Sequence, residues 1–183
     1  MALLKGIFSI ADFKKAADAG KVNQARTPDQ DFEDVVSGGM PAADFDLRGY
    51  DAEIGGLSYE TGELTDALEN AGLFVYDDRM GTVVAGRSKE AVDALRSASN
   101  PYEYGKAYGY SEEDIASFYK KLRGGDEGVA FQEFLRDKQV SDDIVRLTDQ
   151  GYPESTARKI VSGELPMDRE SRMQRAREMG YDV

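Results

Sequence analysis

The stretch "LFVYDDRMGTVVAGR", residues 73–87, contains two short runs of β-forming side chains on either side of a turn. The runs "LFVYDD" and "TVVAGR" are separated by "RMG", which is typical of a β-hairpin. A two-stranded sheet alone is only marginally stable in water, so this hairpin must pack against helices or against another chain. We predict that this hairpin is the only sheet in the chain.

Helical patterns precede and follow the hairpin. "SYETGELTDALENAG" and "SKEAVDALRSAS" each place apolar residues on one helical face, and Ser88 is a suitable N-cap for the second. The pattern from Ser58 to Ser99 thus predicts a helix–hairpin–helix unit. A short surface helix is also predicted near the N-terminus, capped by Ser9 and ended by Gly20.

Everything after Asn100 has helical spacing. Ile115, Phe118, Tyr119 and Leu122 fall on one face of a predicted helix. The segment "RGGDEG" at 123–128 predicts a hinge, because glycine widens the accessible backbone angles. We expect the region from there onward to move as a unit, with a further helix starting at a Ser141 cap.

The dipeptide Gly-Tyr occurs three times, at 109–110, 151–152 and 180–181, each time where a predicted helix stops. Glycine readily takes the left-handed conformation that follows a helix end, and the next residue can pack back on the last turn. We therefore predict Schellman-type helix ends at all three places.

Residues 23–56 are rich in Gly and Asp, contain two Pro and show no sustained period. They are predicted to form an extended arm, with a disordered linker as the alternative. The arm carries apolar anchors at Phe32, Phe45 and Leu47. We expect these anchors to hold it against another surface, either its own core or a neighbouring subunit, and name them as protein-interaction residues.

The predicted fold class is α+β and mostly helical. A small helix–β-hairpin–helix unit carries an extended acidic N-terminal arm and is followed by a C-terminal helical region. The predicted divisions are 1–56 for the N-terminal helix and arm, 57–122 for the α+β unit, and 123–183 for a helical connector region.

The chain contains neither cysteine nor histidine. Disulfides, thiolate nucleophiles, Cys–His pairs, serine triads and histidine-ligated metals are therefore excluded. Only carboxylate, Lys, Tyr, Ser and Thr side chains remain for catalysis. We expect no enzyme activity, no cofactor and no metal in this chain, and expect any catalytic domain to lie beyond residue 183.

Apolar runs in the sequence are only a few residues long, which predicts no membrane insertion. The N-terminus has a lysine inside its short apolar stretch and does not resemble a signal peptide. We expect a protein of the virion or of the host cytoplasm.

Charge is concentrated in one segment. Residues 1–26 carry +3, residues 27–78 carry −13 from fourteen acids and one base, and residues 79–183 carry −2. Such an acidic block repels nucleic acid and attracts basic partners, or is simply a solvated segment. Direct nucleic-acid binding is not expected.

Two short motifs are candidate ligand sites. Asp77 and Asp78 offer hard oxygen ligands to a divalent ion, but adjacent strand residues point to opposite faces, so turn polarity is the better interpretation. The strand–glycine–helix segment 86–89 could present amides to a phosphate, but it has no full phosphate-binding spacing. Ordinary capping of the helix is favoured there.

Five tyrosines cluster between 102 and 119 among several carboxylates, which favours a protein interface over base stacking. Tyr104 and Tyr108 are the candidate contact residues. In the last segment, Met173 lies on a soft apolar helix face while Arg172 and Arg175 crowd the remainder. These three are also candidate interaction residues.

The C-terminal stretch "LPMDRESRMQRAREMGYDV" has a Leu-Pro-Met-Asp start, a Ser-Arg-Met centre and a Gly-Tyr end. It resembles the connector of large polyvalent, MuF-type proteins of phages and prophages, where it precedes an ADP-ribosyltransferase-like domain. The resemblance covers about the last 20 residues, or about 45 with the preceding helical segment. It implies phage origin and no transferase residues, because those would follow Val183.

The leading functional hypothesis is a non-catalytic bacteriophage protein, virion-associated or injected, that acts as an assembly or adaptor module through protein–protein contacts. Its partners would be other phage proteins or a host protein, with homo-oligomerisation as a further option. The alternative is an acidic anti-defence inhibitor that mimics nucleic acid. A carboxylate-dependent enzyme is the third hypothesis.

Overall fold

The computed structural model describes residues 9–20, 26–47, 53–60 and 62–165. The chain divides into two compact units, Met1–Phe134 and Leu135–Val183. The described helices are α1 (Ile10–Ala19), α2 (Pro28–Ser37), α3 (Glu63–Asn70), α4 (Lys89–Ser97), α5 (Pro101–Ala107), α6 (Glu112–Leu122), α7 (Glu127–Asp149) and α8 (Glu154–Val161). The described strands are β1 (Ala42–Asp46), β2 (Glu53–Ile54), β3 (Leu57–Ser58), β4 (Phe74–Asp77) and β5 (Thr82–Gly86). The predicted class, α+β and mostly helical, is confirmed.

The predicted hairpin is formed by β4 and β5. The two strands pair antiparallel, from Phe74 opposite Gly86 to Asp77 opposite Val83. β5 is buried along most of its length, whereas β4 alternates between exposed and half-buried positions. The hairpin is therefore central to the first unit, but its two strands differ in how far they are covered.

The turn between these strands is built from its own side chains and from backbone freedom. Arg79 and Gly81 both have positive φ, at 58° and 102°. The Asp78 carboxylate accepts hydrogen bonds from the backbone N–H groups of Met80 and Thr82, at 2.7 and 2.9 Å. An Asp at the start of a turn commonly binds the backbone in this way.

A third strand completes the sheet. β1 pairs antiparallel with β5, from Ala42 opposite Gly86 to Asp46 opposite Thr82. The strand order is β1-β5-β4, so β5 is central and the other two are edges. The strands β2 and β3 form a separate small hairpin, Glu53 opposite Ser58. The prediction that the β4–β5 hairpin is the only sheet is therefore wrong.

The predicted extended arm is wrong where the structure describes it, because 28–37 is a helix and 42–46 is a strand of the sheet. α2 begins with a capping box: Thr27 Oγ accepts from the Gln30 backbone N–H at 3.3 Å, and the Gln30 side chain accepts from the Thr27 N–H at 3.0 Å. Pro28 occupies the first helical position, where a missing N–H costs nothing. The high Gly and Pro content of the segment conceals this local signal.

Both faces of the sheet are covered by helices. α2 and α3 pack on one face, α4 on the other. The core under α2 and α3 consists of Val35, Ala43, Phe45, Leu47, Ile54, Leu64, Leu68, Leu73, Val83 and Ala85. The core under α4 consists of Ala42, Val84, Val92 and Leu95. Alternate residues of β1 and β5 thus serve opposite cores, as strand geometry requires.

An aromatic cluster holds the helical part of the first unit together. The Phe134 ring lies 5.5 Å from Phe13 of α1, 5.5 Å from Tyr102 of α5 and 5.7 Å from Tyr119 of α6. Phe13 also contacts Phe131 at 5.6 Å. Phe13 and Phe134 are fully buried, so α1 lies at the surface, as its exposed lysines suggested, with one face packed into the core through Phe13 and Ala17.

Helix α6 buries only part of its predicted apolar face. Ile115 and Tyr119 are buried, but Phe118 and Leu122 are 47% and 49% exposed. On its buried side the packing against α5 is tight, because a Cβ added to Gly105 would lie 2.6 Å from Ile115. A larger residue there requires the Ile115 side chain to shift.

The predicted Schellman ends are confirmed at the two described Gly-Tyr sites; 180–181 lies outside the described residues. Gly109 has φ +85°, and the Tyr110 N–H donates to Gly105 O at 2.9 Å. Gly151 has φ +91°, and the Tyr152 N–H donates to the carbonyl five residues earlier at 3.1 Å.

In the second unit the predicted helix start at Ser141 is wrong, because α7 continues through it to Asp149. Val140 and Ile144 continue one apolar helical face, so the chain has no reason to break there. The core of this unit consists of Ile144, Leu147, Ala157 and Ile160, with Val140, Tyr152, Val161 and Leu165 packed against it.

The predicted divisions differ from those of the structure. Residues 42–47 and 57–85 share one core, so no division follows residue 56. The residues after the 123–128 loop, Phe131 and Phe134, still pack on α1, so the division falls at Phe134 and not at the predicted hinge. Gly124 and Gly125 do have positive φ, as expected for a glycine turn between helices.

We expect Phe134→Ala to lower the free energy of unfolding by about 3–5 kcal/mol, the usual cost of removing a buried Phe ring. Phe118→Ala is the control, since that ring is 47% exposed, and it should cost far less. Urea unfolding followed by circular dichroism measures both. Equal effects of the two changes would contradict the central role of Phe134.

A network of ion pairs links α1, α6 and the start of α7. Lys14 pairs with Glu127, and Lys120 Nζ lies 3.1 Å from Glu127 and 2.7 Å from Asp18. The hydrogen bonds from Lys14 and Lys120 lower the pKa of Glu127 below its ordinary value of 4.5. Its ionised form is therefore favoured in the folded state.

The stability that Glu127 contributes should depend on pH in the acid range. It is complete above the ordinary pKa and disappears as pH falls through the lowered folded-state pKa. Glu127→Gln should therefore lower the melting temperature at neutral pH and leave it unchanged in strong acid. Glu113→Gln, at an exposed position of α6, is the control. A Glu127→Gln effect that persists in strong acid would show that charge is not the cause.

Candidate protein-interaction surface

The three predicted arm anchors lie in the core of the first unit. Phe45 and Leu47 are 2% and 8% exposed, and Phe32 is half-buried against the same cluster. Phe45 lies opposite Val83 in the β1–β5 pair. The prediction allowed these anchors to pack on the chain's own core or on a neighbouring subunit, and they pack on the chain's own core. The assignment of Phe45 and Leu47 as residues that contact a separate protein is corrected, because a buried side chain cannot reach one. For Phe32, which is half-buried, the assignment stays a prediction.

The two candidate tyrosines have different surroundings. The Tyr108 hydroxyl donates a hydrogen bond to the Asp44 carboxylate of β1, and its ring lies 5.9 Å from Tyr110. Burial and this hydrogen bond raise the pKa of Tyr108 well above its ordinary value. Tyr108 therefore ties α5 to the sheet, whereas Tyr104 is 41% exposed and available on the surface.

The predicted C-terminal contact residues, Met173, Arg172 and Arg175, lie outside the described residues. The interaction surface is therefore built from the first unit.

Many carboxylates of the acidic block bind groups of their own chain. Arg26 pairs with Asp31 at 2.6 Å and with Asp34, and these hydrogen bonds raise the pKa of Arg26. Asp29 accepts the Gly55 backbone N–H at 2.6 Å. At least seven of the fourteen acids accept such bonds: Asp29, Asp31, Asp34, Asp44, Glu63, Asp77 and Asp78. At least half of the carboxylates in the acidic block therefore stabilise the fold of this chain through hydrogen bonds.

The two short motifs also have internal partners. Asp77 Oδ1 accepts the Tyr59 hydroxyl at 2.9 Å and the Arg79 backbone N–H at 2.6 Å. Arg87 donates to the Val36 carbonyl at 2.9 Å, and Lys89 pairs with its helical neighbour at 2.6 Å. The Ser88 hydroxyl caps α4 by accepting the Ala91 backbone N–H at 3.1 Å. Turn polarity and helix capping, the interpretations favoured from sequence, thus agree with these contacts.

The largest exposed apolar side chains of the sheet lie on and beside β4. Phe74 is 52% exposed, Tyr76 36%, and Met80 in the turn 76%. The Arg96 guanidinium of α4 lies 3.5 Å from the centroid of the Tyr76 ring, a cation–π contact. We call Phe74, Tyr76, Met80 and Arg96, together with the outer backbone of β4, the β4 edge surface.

The alternation of backbone hydrogen bonds along the strands shows which N–H and C=O groups of β4 point away from β5. The backbone N–H of Leu47, directly after β1, donates to the carbonyl of Gly81, directly before β5, at 2.7 Å. Because bonded pairs recur at every second residue of an antiparallel ladder, the odd-numbered residues of β5 bond to β1. Thr82 accepts from the Asp78 N–H at 3.1 Å, so even-numbered residues of β4 and β5 bond to each other. The N–H and C=O groups of Val75 and Asp77 therefore point away from the sheet.

No described strand pairs with this outer edge. Sheet edges are usually blunted by charge, bulges or a covering element, because unpaired groups invite pairing with another chain. Here the exposed aromatic side chains of Phe74 and Tyr76 lie beside the backbone groups of this edge. The combination of an open edge and exposed aromatic surface is what makes β4 a candidate interaction site.

A negatively charged helix flanks this edge. α3 packs against β4 on the face opposite α4 and exposes Glu63, Asp66 and Glu69. Residues 53–78 contain seven acids and no base. The potential on this side of the edge is therefore negative.

The sequence did not identify this surface, although one signal was present. "FVYD" alternates, so that Phe74 and Tyr76 share one face and Val75 and Asp77 share the other. The missing information was that β4 is an edge strand, which depends on the distant β1.

A scan against protein-family models, a search of curated proteins and a search of solved structures each found no match. Among the described residues, no helix is long and apolar enough to cross a membrane. Within that same part of the chain, no three or more Asp or Glu side chains are grouped to hold a metal ion. The function is therefore argued from the surface itself.

We expect Phe45→Ala to lower the free energy of unfolding far more than Phe74→Ser, because Phe45 lies in the core and Phe74 lies at the surface. Phe45→Ala removes a buried ring and should lower the free energy of unfolding by about 3–5 kcal/mol. Phe74→Ser changes a half-exposed side chain and should cost about 1 kcal/mol or less. Thermal or urea unfolding measures both, and a larger loss from Phe74→Ser would show that β4 is covered in solution.

Proposed function

We propose that this chain is a non-catalytic protein-interaction module that binds a partner protein through the β4 edge surface. The observation that carries the proposal is the coincidence of exposed Phe74 and Tyr76 with the outward backbone groups of one edge strand. Aromatic rings supply large contact area at low entropic cost, and they are enriched among residues that dominate binding energy.

Another exposed apolar pair supports the proposal less well. Phe118 and Leu122 of α6 are similarly exposed, but a helix satisfies its own backbone hydrogen bonds. They offer side chains only, whereas β4 offers side chains and main-chain groups with which no described strand pairs. β4 is therefore the better-equipped site.

We further propose that the module belongs to a bacteriophage protein, virion-associated or injected, in which it acts as an adaptor. The support is the resemblance of the C-terminal segment to the connector of large polyvalent phage proteins. In such a setting the partner would be another phage protein or a host protein.

The acidic inhibitor that mimics nucleic acid is less well supported. A mimic must display its carboxylates to a basic groove, and at least half of those in the acidic block bind groups of this chain. Its binding would also weaken steeply with salt, because exposed charges are screened.

Site-specific crosslinking in the native source tests the proposed function. A photoreactive phenylalanine analogue replaces Phe74 in one variant, Phe118 in a second and the exposed α4 residue Ala94 in a third. The analogue at position 74 should give a discrete crosslinked product, identified by mass spectrometry, while the other two do not. Equal products at all three, or a product only at 118, would contradict the proposal.

A further inference from the structure

We infer that the β4 edge surface binds its partner by strand addition, and that the added segment alternates apolar and basic side chains. This inference rests on the proposed function, since it specifies the chemistry of the partner at the same surface. It follows from three features of β4: the backbone groups that point away from the sheet, the exposed aromatic side chains on one face, and the acidic helix α3 on the other face.

The backbone groups of β4 that point away from the sheet supply the hydrogen bonds to the added strand. Val75 and Asp77 direct their N–H and C=O groups outward, so two residues of β4 can each exchange bonds with an adjacent strand. Recognition of extended peptides at sheet edges uses these main-chain bonds for affinity and alternate side chains for specificity.

The face toward α4 selects apolar side chains. Phe74 and Tyr76 lie on this face beside the strand that would be added, and they are 52% and 36% exposed. Cross-strand neighbours lie about 4.5–5.5 Å apart, close enough for aromatic and branched side chains to pack. Every second residue of the partner segment is therefore expected to be aliphatic or aromatic.

The opposite face selects basic side chains. The intervening residues of an added strand would point toward the face covered by α3, which exposes Glu63, Asp66 and Glu69. With no base between residues 53 and 78, lysine and arginine complement this side and acidic residues are repelled.

The same charge argues against a second copy as the occupant. Two copies paired through β4 would bring two acidic flanks together in a chain whose net charge is −12. Like charges at an interface disfavour that partner. The occupant is therefore a segment of a different protein.

A displayed library of random linear peptides tests the partner chemistry while the partner itself is still unidentified. The full chain is the bait, and Val75→Pro serves for counter-selection. Enriched peptides should alternate apolar residues with Lys or Arg over four or more positions. Absence of enrichment, or enrichment of acidic or helically spaced peptides, would overturn the inference.

Val75 provides the matched pair of variants. Proline there removes an N–H that faces outward, and edge strands tolerate proline at such positions. Val75→Thr keeps the N–H and the β-branched shape. Fluorescence anisotropy with a selected peptide should show affinity about tenfold lower for proline, as for the loss of one or two hydrogen bonds, and changed by less than about threefold for threonine.

A modified peptide removes the dependence on variant folding. N-methylation of the selected peptide at alternate residues blocks its main-chain donors on one edge while the protein remains unchanged. Methylation of one alternate set should abolish binding, and methylation of the other set should have little effect. Equal effects of the two sets would contradict strand addition.

The acidic flank is tested with Glu63→Gln combined with Glu69→Gln, because the buried Leu64 and Leu68 place Asp66 on the side of α3 that faces away from the sheet. Affinity for the basic peptide should fall about threefold at low salt and converge with that of the unchanged chain at high salt. Glu33→Gln combined with Glu113→Gln removes the same charge from α2, which packs on the opposite edge strand, and from α6. An equal loss in this control would show that overall charge, not α3, is responsible.

The outcomes separate the two proposals. A crosslink at position 74 with no effect of Val75→Pro or N-methylation retains the interaction site and overturns strand addition. Analytical ultracentrifugation adds one further outcome: a dimer that Val75→Pro dissociates would make a second copy the occupant and overturn the basic–apolar partner.

Discussion

The ring of Phe134 is the contact on which the helical part of the first unit depends. It meets rings from α1, α5 and α6 at 5.5–5.7 Å, so one side chain of α7 joins four helices, of which α1 is distant in sequence from the other three. The helices α1, α5 and α6 have only 10, 7 and 11 residues, too few to be stable alone in water, and each gains its stability from packing. This explains why α1, with its exposed lysines, still forms: Phe13 is fully buried against Phe134.

The sheet satisfies a different constraint. A hairpin is marginal without a third strand or covering helices, and β1 together with α2, α3 and α4 supplies both. β5 is thereby paired on both sides and largely buried, while no strand in the described part of the chain pairs with the outer edge of β4. The proposed interaction surface is thus a consequence of topology, because a three-stranded sheet with β5 in the middle must leave two edges.

The acidic block has two physical roles. Some carboxylates satisfy local backbone and side-chain donors, as Asp29 does for Gly55 and Asp44 for Tyr108, and so hold the irregular connections of the first unit in place. Others, on α3, remain exposed and set the potential beside β4. One excess of negative charge therefore serves internal structure and, in the proposed interaction, the choice of partner.

Local features were determined by the sequence itself. The β4–β5 hairpin, the Ser9 and Ser88 caps and two Gly-Tyr helix ends follow from a few adjacent residues, and all are present. Of the proposed contact residues that the structure describes, only Tyr104 proved exposed, and the β4 edge surface was not predicted. Tertiary structure decided that Phe45 enters the core and that Phe74 stays outside. Both residues have β-forming neighbours, and burial depends on which strand is central, a pairing between residues about forty positions apart that no local pattern encodes.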